Sequence, residues 1–222
     1  MTQPLDLNQT FWTPIGTFLF PALVTPTRDL SNNEVWACGL HVPLDESDQL
    51  LAIVEAVLTD ARRSMPGFPK TDKFKDSRGR EDFLNMPYRQ ATKKDGEARV
   101  PIDGLLQWSF KRKTTTKKGN PASRPVILDP RGSIVADPPE IGYGSKGRIA
   151  FKAFAYDNAS KGVGFYLVGA QVSSLAAGEL DGADAIDGDW VPGAAAPAQS
   201  GTTGTAPGWN PQAGDFDDEV PF

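Results

Sequence analysis

Beyond Ala176 the chain holds almost nothing that could build a core, which confines any globular fold to its first 176 residues. Residues 177–214 are rich in Gly, Ala, Pro, Thr and Asp and carry almost no β-branched core residues. Such a segment cannot bury enough apolar surface to offset the entropy of ordering it, so disorder is expected there. The remaining residues, 215–222, read DFDDEVPF. The expected organisation is a folded domain over 1–176, a disordered Gly/Ala/Pro-rich linker over 177–214 and an acidic tip over 215–222.

Charge divides along the same line. The formal net charge of −5 comes from 28 acidic and 23 basic residues. Nine of the acidic residues and none of the basic ones follow Ala176, so residues 1–175 carry a net charge of +4. Between Arg62 and Arg124 lie 17 basic and seven acidic residues, a local net of +10. A basic middle with an acidic tail points to polyanion binding combined with an interaction segment.

Within 1–176, residues 15–25 (IGTFLFPALVT) and 34–42 (EVWACGLHV) read as strands joined by a loop containing Asp29, Asn32 and Asn33. A helix follows, capped by Asp45 or Ser47, with Leu50, Leu51, Val54, Val57, Leu58 and Ala61 at helical spacing, and Met65-Pro66-Gly67 stops it. Residues 66–104 are basic and lack apolar periodicity, so a long functional loop with at most one short element is expected. Residues 105–113 (LLQWSFKRK) form a strand that runs into a basic loop at 114–120. Residues 126–128 and 134–136 flank Asp129-Pro130-Arg131-Gly132, a hairpin signal, and 147–156 with 163–175 make a last pair. Roughly seven strands and one inserted helix suggest a small sandwich or barrel, and an OB-like Greek-key β-barrel fits the count. The expected fold class is therefore mostly β: an OB-like barrel with one inserted helix and a disordered acidic tail.

The last pair of strands carries the clearest chemistry. In residues 148–156 (RIAFKAFAY), Ile149, Phe151, Ala153 and Ala155 share one face, which is core-like. Arg148, Lys152, Phe154 and Tyr156 share the other. Cations among aromatic rings suit single-stranded nucleic acid, whose phosphates pair with Lys and Arg while its bases stack on rings. Trp108 and Phe110 lie on one face with Leu106, where core packing is the better reading, although Trp108 is retained among the stacking candidates. Lys111, Arg112, Lys113, Lys117 and Lys118 follow as phosphate contacts. Tyr88 and Arg89, in the basic loop, complete the candidate DNA-binding set. Arg62 and Arg63 also fit a simple role at the C-terminal end of the helix dipole.

The tip is the sharpest signal. Asp215, Phe216, Asp217, Asp218, Glu219, Val220, Pro221 and Phe222 place four carboxylates before an apolar end. A basic pocket on a partner would take Phe222 in an apolar slot and its α-carboxylate against Arg or Lys.

DFDDEVPF resembles the acidic tip of bacterial single-stranded-DNA-binding proteins and, like theirs, follows a Gly/Pro-rich linker. The body resembles a second group, the phage T7-like single-stranded-DNA-binding proteins. That likeness rests on Tyr143-Gly144-Ser145-Lys146, RIAFKAFAY (148–156) and GVGFYLVGAQV (162–172). It spans residues 104–178; before Gly104 only the order of elements agrees. The bacterial proteins have a shorter body with differently placed core strands, so the barrel is carried over from the phage family and the tail logic from the bacterial proteins. The resemblance implies sequence-independent binding and protection of single-stranded DNA in phage DNA replication and recombination. It also implies recruitment of a polymerase, helicase or nuclease through the tail, in the cytoplasm of an infected bacterium.

Other chemistry is poorly supplied. The chain has one His, His41, and one Cys, Cys38, too few for zinc or for a Cys-His pair, and too few for an internal disulfide. Gly142, Gly144 and Gly147 precede a strand, unlike a phosphate-binding loop. Asp129, Asp137 and Glu140 are explained by turns. No cofactor, metal or membrane partner is expected, and no secretory signal, since residues 1–8 lack a basic residue and an apolar run. The rival functions are a metal-dependent nuclease and a replication adaptor protein, and homodimerisation is left open.

Overall fold

The two strands read from residues 15–25 and 34–42 take shape as β2 (Gly16–Arg28) and β3 (Glu34–Pro43), paired antiparallel. The computed structural model describes residues 5–75, 78–95, 98–158, 160–176 and 188–189. Asp29 closes the turn between the two strands. Its Oδ1 accepts the backbone N–H groups of Ser31 at 2.9 Å and Asn33 at 3.0 Å, while Asn32 takes a positive φ of 61°. Asp and Asn serve here because their side chains satisfy turn donors and tolerate left-handed backbone.

β3 pairs antiparallel with β7 (Ala98–Lys113), from Val35 opposite Lys113 to Pro43 opposite Leu105. β9 (Lys146–Asp157) and β10 (Lys161–Leu175) form a long hairpin, from Lys161 opposite Asp157 to Ser174 opposite Lys146. β9 returns to β2 at Gly16 opposite Gly147, and β10 meets β7 in parallel at Tyr166 and Lys111. Hydrogen bonding therefore runs in a cycle, β2–β3–β7–β10–β9 and back to β2. Five strands in this order, with a short parallel joint, form the OB-like Greek-key arrangement expected from the sequence.

The helix α1 (Asp48–Ser64) is inserted between β3 and β7 and packs against β9 and β10. Leu50, Ile53, Val54, Val57, Leu58 and Ala61 are its buried stripe; Ile53 takes the place expected of Leu51, which is only partly buried, and Met65 leaves helical geometry as read from the sequence. The cap differs. Asp45 lies in a 3-10 turn (Leu44–Glu46), and Ser47 holds the N-cap position without capping. Its hydroxyl instead donates to the Pro43 carbonyl at 2.8 Å and accepts the indole N–H of Trp108 at 3.4 Å. Both side chains are buried, so the pair spares Trp108 an unsatisfied donor in the core.

The long basic loop expected over 66–104 is largely strand. β4 (Lys73–Lys75) pairs with β5 (Glu81–Phe83), and β6 (Tyr88–Asp95) pairs with the first half of β7. Both faces of the β6–β7 hairpin are mostly exposed, so no apolar alternation announces it; within β6 only Ala91 is fully buried. Its register jumps from Gln90 opposite Leu106 to Thr92 opposite Pro101. The extra residues on β7 form a bulge, and Gly104, at φ +70°, supplies left-handed backbone within it.

Eleven strands occur among the described residues, against roughly seven expected. β1 (Phe11–Trp12) flanks β9, β8 (Val126–Leu128) runs parallel to β10, and β11 (Gly188–Asp189) pairs with the end of β10. Residues 134–136 form an isolated bridge rather than a strand, because the Asp129–Gly132 turn leads only one residue, Ile134, back to Leu128. No helix among the described residues is long and apolar enough to cross a membrane. The acidic tip and most of the linker lie outside the described residues.

Rings fill the centre of the barrel. Phe151 and Phe165 lie 4.3 Å apart, Phe110 is 5.4 Å from Phe151, and Trp108 stacks on Phe165 at 5.7 Å and 4°. Ile149, Phe151 and Ala153 are buried, as the alternation of 148–156 requires. Truncating Phe151 removes a ring that meets Phe11, Phe110 and Phe165 together. Phe151→Ala is expected to destabilise the fold by about 3–5 kcal/mol in urea denaturation. A change within about 0.5 kcal/mol, as at a surface position, would contradict this packing.

Candidate nucleic-acid interface

The outer face of the same ring bears a cleft of about 580 Å3. Alternation places small residues on its floor: Ala37 and Gly39 of β3, Ser109 of β7 and Gly164 of β10. Rings stand around it: Phe154 and Tyr156 of β9, Tyr166 of β10 and Phe20 of β2. Lys111, Arg112 and Lys113 line it from β7.

Gly164 explains the seat of Phe154. A Cβ there would come within 2.5 Å of the ring, so only glycine lets Phe154 lie across the neighbouring strand. The Phe154 and Tyr156 rings are 6.2 Å apart. Burial raises the pKa of the Tyr156 hydroxyl and keeps it neutral. Lys152 is directly opposite Tyr166 in register, and burial lowers its pKa from the ordinary lysine value. The Arg112 guanidinium sits 5.3 Å from the Tyr166 ring centroid, within cation–π range. Lys111 donates to the Asp29 carboxylate at 3.0 Å, and this contact is the main cause holding the Asp29 pKa down at about 2.

Of the residues read from the sequence, Lys111, Arg112, Lys113, Phe154 and Tyr156 are brought together, with Lys152 beside them. Others are elsewhere. Trp108 is fully buried and stacked on Phe165, so it is a core residue and not a base platform. Tyr88 packs on Trp108 at 4.8 Å, on the rim of the core. Arg148 lies 4.7 Å over the Trp12 ring and donates to Gln171 at 2.8 Å, away from the cleft lining. Lys117 and Lys118 are exposed on the turn after β7, outside the cleft lining. Arg89 donates to Gln107 at 3.2 and 3.3 Å and lines a neighbouring cleft.

Phe20 was missed from the sequence. It is 78% exposed, stands in a bulge of β2 and has φ +46°. A bulky residue there carries backbone strain of roughly 1–3 kcal/mol, a feature that clusters at functional sites. The usable signal was Pro21, because proline inside a strand pattern marks an edge or a bulge. Tyr143, 49% exposed, lies 5.5 Å from the Phe20 ring. Tyr166 was missed as well, and its period-2 alternation with Phe165 was the signal that could have found it.

Among the described residues no group of three or more His, Cys, Asp or Glu side chains gathers. Asp129 accepts the Ser133 N–H within its own turn at 2.8 Å, and Glu140 accepts the Thr25 hydroxyl. Cys38 is buried, which pushes its thiol pKa up, and burial lowers the pKa of His41.

No family model and no curated protein sequence matches the chain. Among solved structures it is similar to gp2.5, a single-stranded DNA binding protein encoded by bacteriophage T7. That likeness has 19% identity and a TM-score of 0.52, over 78% of this chain and 91% of that one. It is also similar to the single-stranded DNA-binding protein from bacteriophage Enc34, at 14% identity and TM-score 0.51, over 85% and 88% of the two chains. The Enc34 protein in complex with ssDNA matches at 14% identity and TM-score 0.50, over 74% and 86%. At these identities the likeness establishes a shared fold.

The Asp29–Lys111 contact has a pH signature. Asp29 titrates at about 2 in the folded chain against 3.8 for an ordinary aspartate. The pair therefore stabilises the fold above pH 3.8, and that contribution is lost as pH falls through about 2. Lys111→Ala should raise the Asp29 pKa and flatten this acid limb, read by NMR titration of the carboxyl group and by denaturation against pH. An unmoved Asp29 titration would assign the shift to the Ser31 and Asn33 backbone donors instead.

Proposed function

We propose that the protein binds single-stranded DNA without sequence preference across the outer face of its barrel. The observation that carries this reading is the meeting of Phe154, Tyr156, Tyr166 and Phe20 with Lys111, Arg112 and Lys113 in one cleft over a floor of small residues. Every base has a face that can stack on a ring, and phosphates pair with cations, so neither contact reads a base edge. A duplex hides its base faces and would leave the rings unused. The shared fold with phage single-stranded-DNA-binding proteins, one of them in complex with ssDNA, supports the reading.

The same proposal extends to membership of the phage T7-like family and to work in phage DNA replication and recombination, in the host cytoplasm. Residues 215–222 would hook a polymerase, helicase or nuclease, with Phe222 as the apolar anchor and Asp215, Asp217, Asp218 and Glu219 steering the encounter. Acting as the linker their composition implies, residues 177–214 would reach about 35 Å, enough to bring the tip over the cleft. Tethering at an effective concentration of order millimolar would let a weak tip compete with non-specific polyanions. DNA with many contacts would still displace it.

Two measurements follow. Phe154→Ala should weaken oligo(dT) binding roughly 5- to 150-fold, the equivalent of about 1–3 kcal/mol of lost stacking, while costing far less stability than Phe151→Ala. Lys111→Ala should lower the slope of log affinity against log salt by about 0.7. Equal affinity for duplex, or a flat salt response in the unaltered protein, would sink this function. Separately, deleting residues 215–222 should tighten oligo(dT) binding most at low salt and abolish capture of replication proteins. If low-salt affinity is unchanged, the tip does not compete for the cleft.

A further inference from the structure

Beside the ring cleft lies a second one, of about 520 Å3, under the β6–β7 hairpin. Leu19, Phe20 and Gln107 line both, so the two clefts adjoin across Phe20. We propose that the bound single strand passes Phe20 and continues into this second cleft, making the β6–β7 hairpin a DNA-binding arm with its own phosphate contacts. The inference rests on the single-strand reading above and adds to it the path and extent of the site.

Three observations point there. The hairpin cleft is lined by Arg89, Lys93, Lys94 and Arg99, a purely cationic set of charged side chains at neutral pH. Lys94 stands directly opposite Arg99 in the ladder. Like charges in that position oppose strand pairing, and none of Lys93, Lys94 and Arg99 is in an ion pair among the described residues. A phosphate backbone lying along the hairpin relieves that repulsion. At the junction, Phe20 holds an exposed ring at positive φ, against the exposed ring of Tyr143. A strained backbone that leaves a large ring in water gains nothing for the core. It does present a stacking surface where a strand would turn from one cleft to the other.

The test compares the full chain with a triple variant, Lys93→Ala, Lys94→Ala and Arg99→Ala, using oligo(dT) of about 4 to about 16 nucleotides, the range bound by single OB folds. All three positions are exposed, so thermal melting should be unchanged. The shortest oligonucleotide, filling the ring cleft, should bind both proteins alike. The longest should bind the variant at least about tenfold more weakly at low salt, with a salt slope reduced by about 2, from about 0.7 per lost contact. Phe20→Ala, at the junction, should weaken binding at every length. Unchanged binding of the longest oligonucleotide by the triple variant would overturn the second cleft and leave the ring cleft standing. A uniform loss at all lengths would also overturn it, making the hairpin a diffuse field rather than a subsite. If, with DNA affinity unchanged, a peptide of residues 215–222 cross-links to the hairpin of the unaltered protein, the cleft belongs to the tip instead. No binding of oligo(dT) by the unaltered protein would remove the proposed function itself.

Discussion

The short parallel joint between β7 and β10 is the constraint on which both the fold and the site depend. Without it, β2, β3, β7, β9 and β10 are an open sheet with two long edges, each a row of unpaired backbone groups. Its registered pair is Tyr166 and Lys111. Closing the ring therefore sets an aromatic ring of β10 beside a cation of β7 on the outer face. The residues that join the barrel are also those at the centre of the proposed interface, and a local change at the joint acts on both.

Period-2 alternation then sorts the rings. On β7, Trp108 and Phe110 point inward and Ser109 and Lys111 outward; on β10, Phe165 points inward and Tyr166 outward. The aromatic core beneath the cleft floor is one connected cluster, from Phe11 through Phe151 and Phe165 to Trp108. Close packing of this kind has low compressibility, so the floor is stiff. A stiff floor with rings held at fixed positions suits stacking, because little ordering remains to be done when a base arrives.

The fold was legible where burial imposes a period. The strands at 16–28, 34–43, 146–157 and 161–175, the helix stripe and the core face of RIAFKAFAY all follow from alternation or helical spacing. The β6–β7 hairpin was not legible, because a hairpin exposed on both faces has no apolar period to read. Site residues followed the same logic. Phe154 and Tyr156 were found because they alternate with core residues, and the cations of β7 because they form a basic run at the end of the strand. Residue type alone does not sort Trp108 and Tyr88, since a ring suits a core and a base equally; the face shared with Leu106 pointed Trp108 to the core, and Tyr88 had only the packing to decide it. Phe20 escaped because a bulge breaks the parity on which the reading relied.

The electrostatics of the cleft are tempered rather than maximal. Lys111 is already partnered by Asp29, whose carboxylate stays ionised down to about pH 2. A phosphate reaching Lys111 must compete with that carboxylate, so part of the attraction is offset on arrival. A wholly unpaired cationic groove would hold any polyanion, duplex included, through the salt-dependent term alone. Loading one of its cations internally shifts discrimination toward the rings, and the rings respond only to ligands with exposed base faces. On this reading Asp29 contributes selectivity, and does so from the β2–β3 turn, one of the loops through which OB folds bind oligonucleotides.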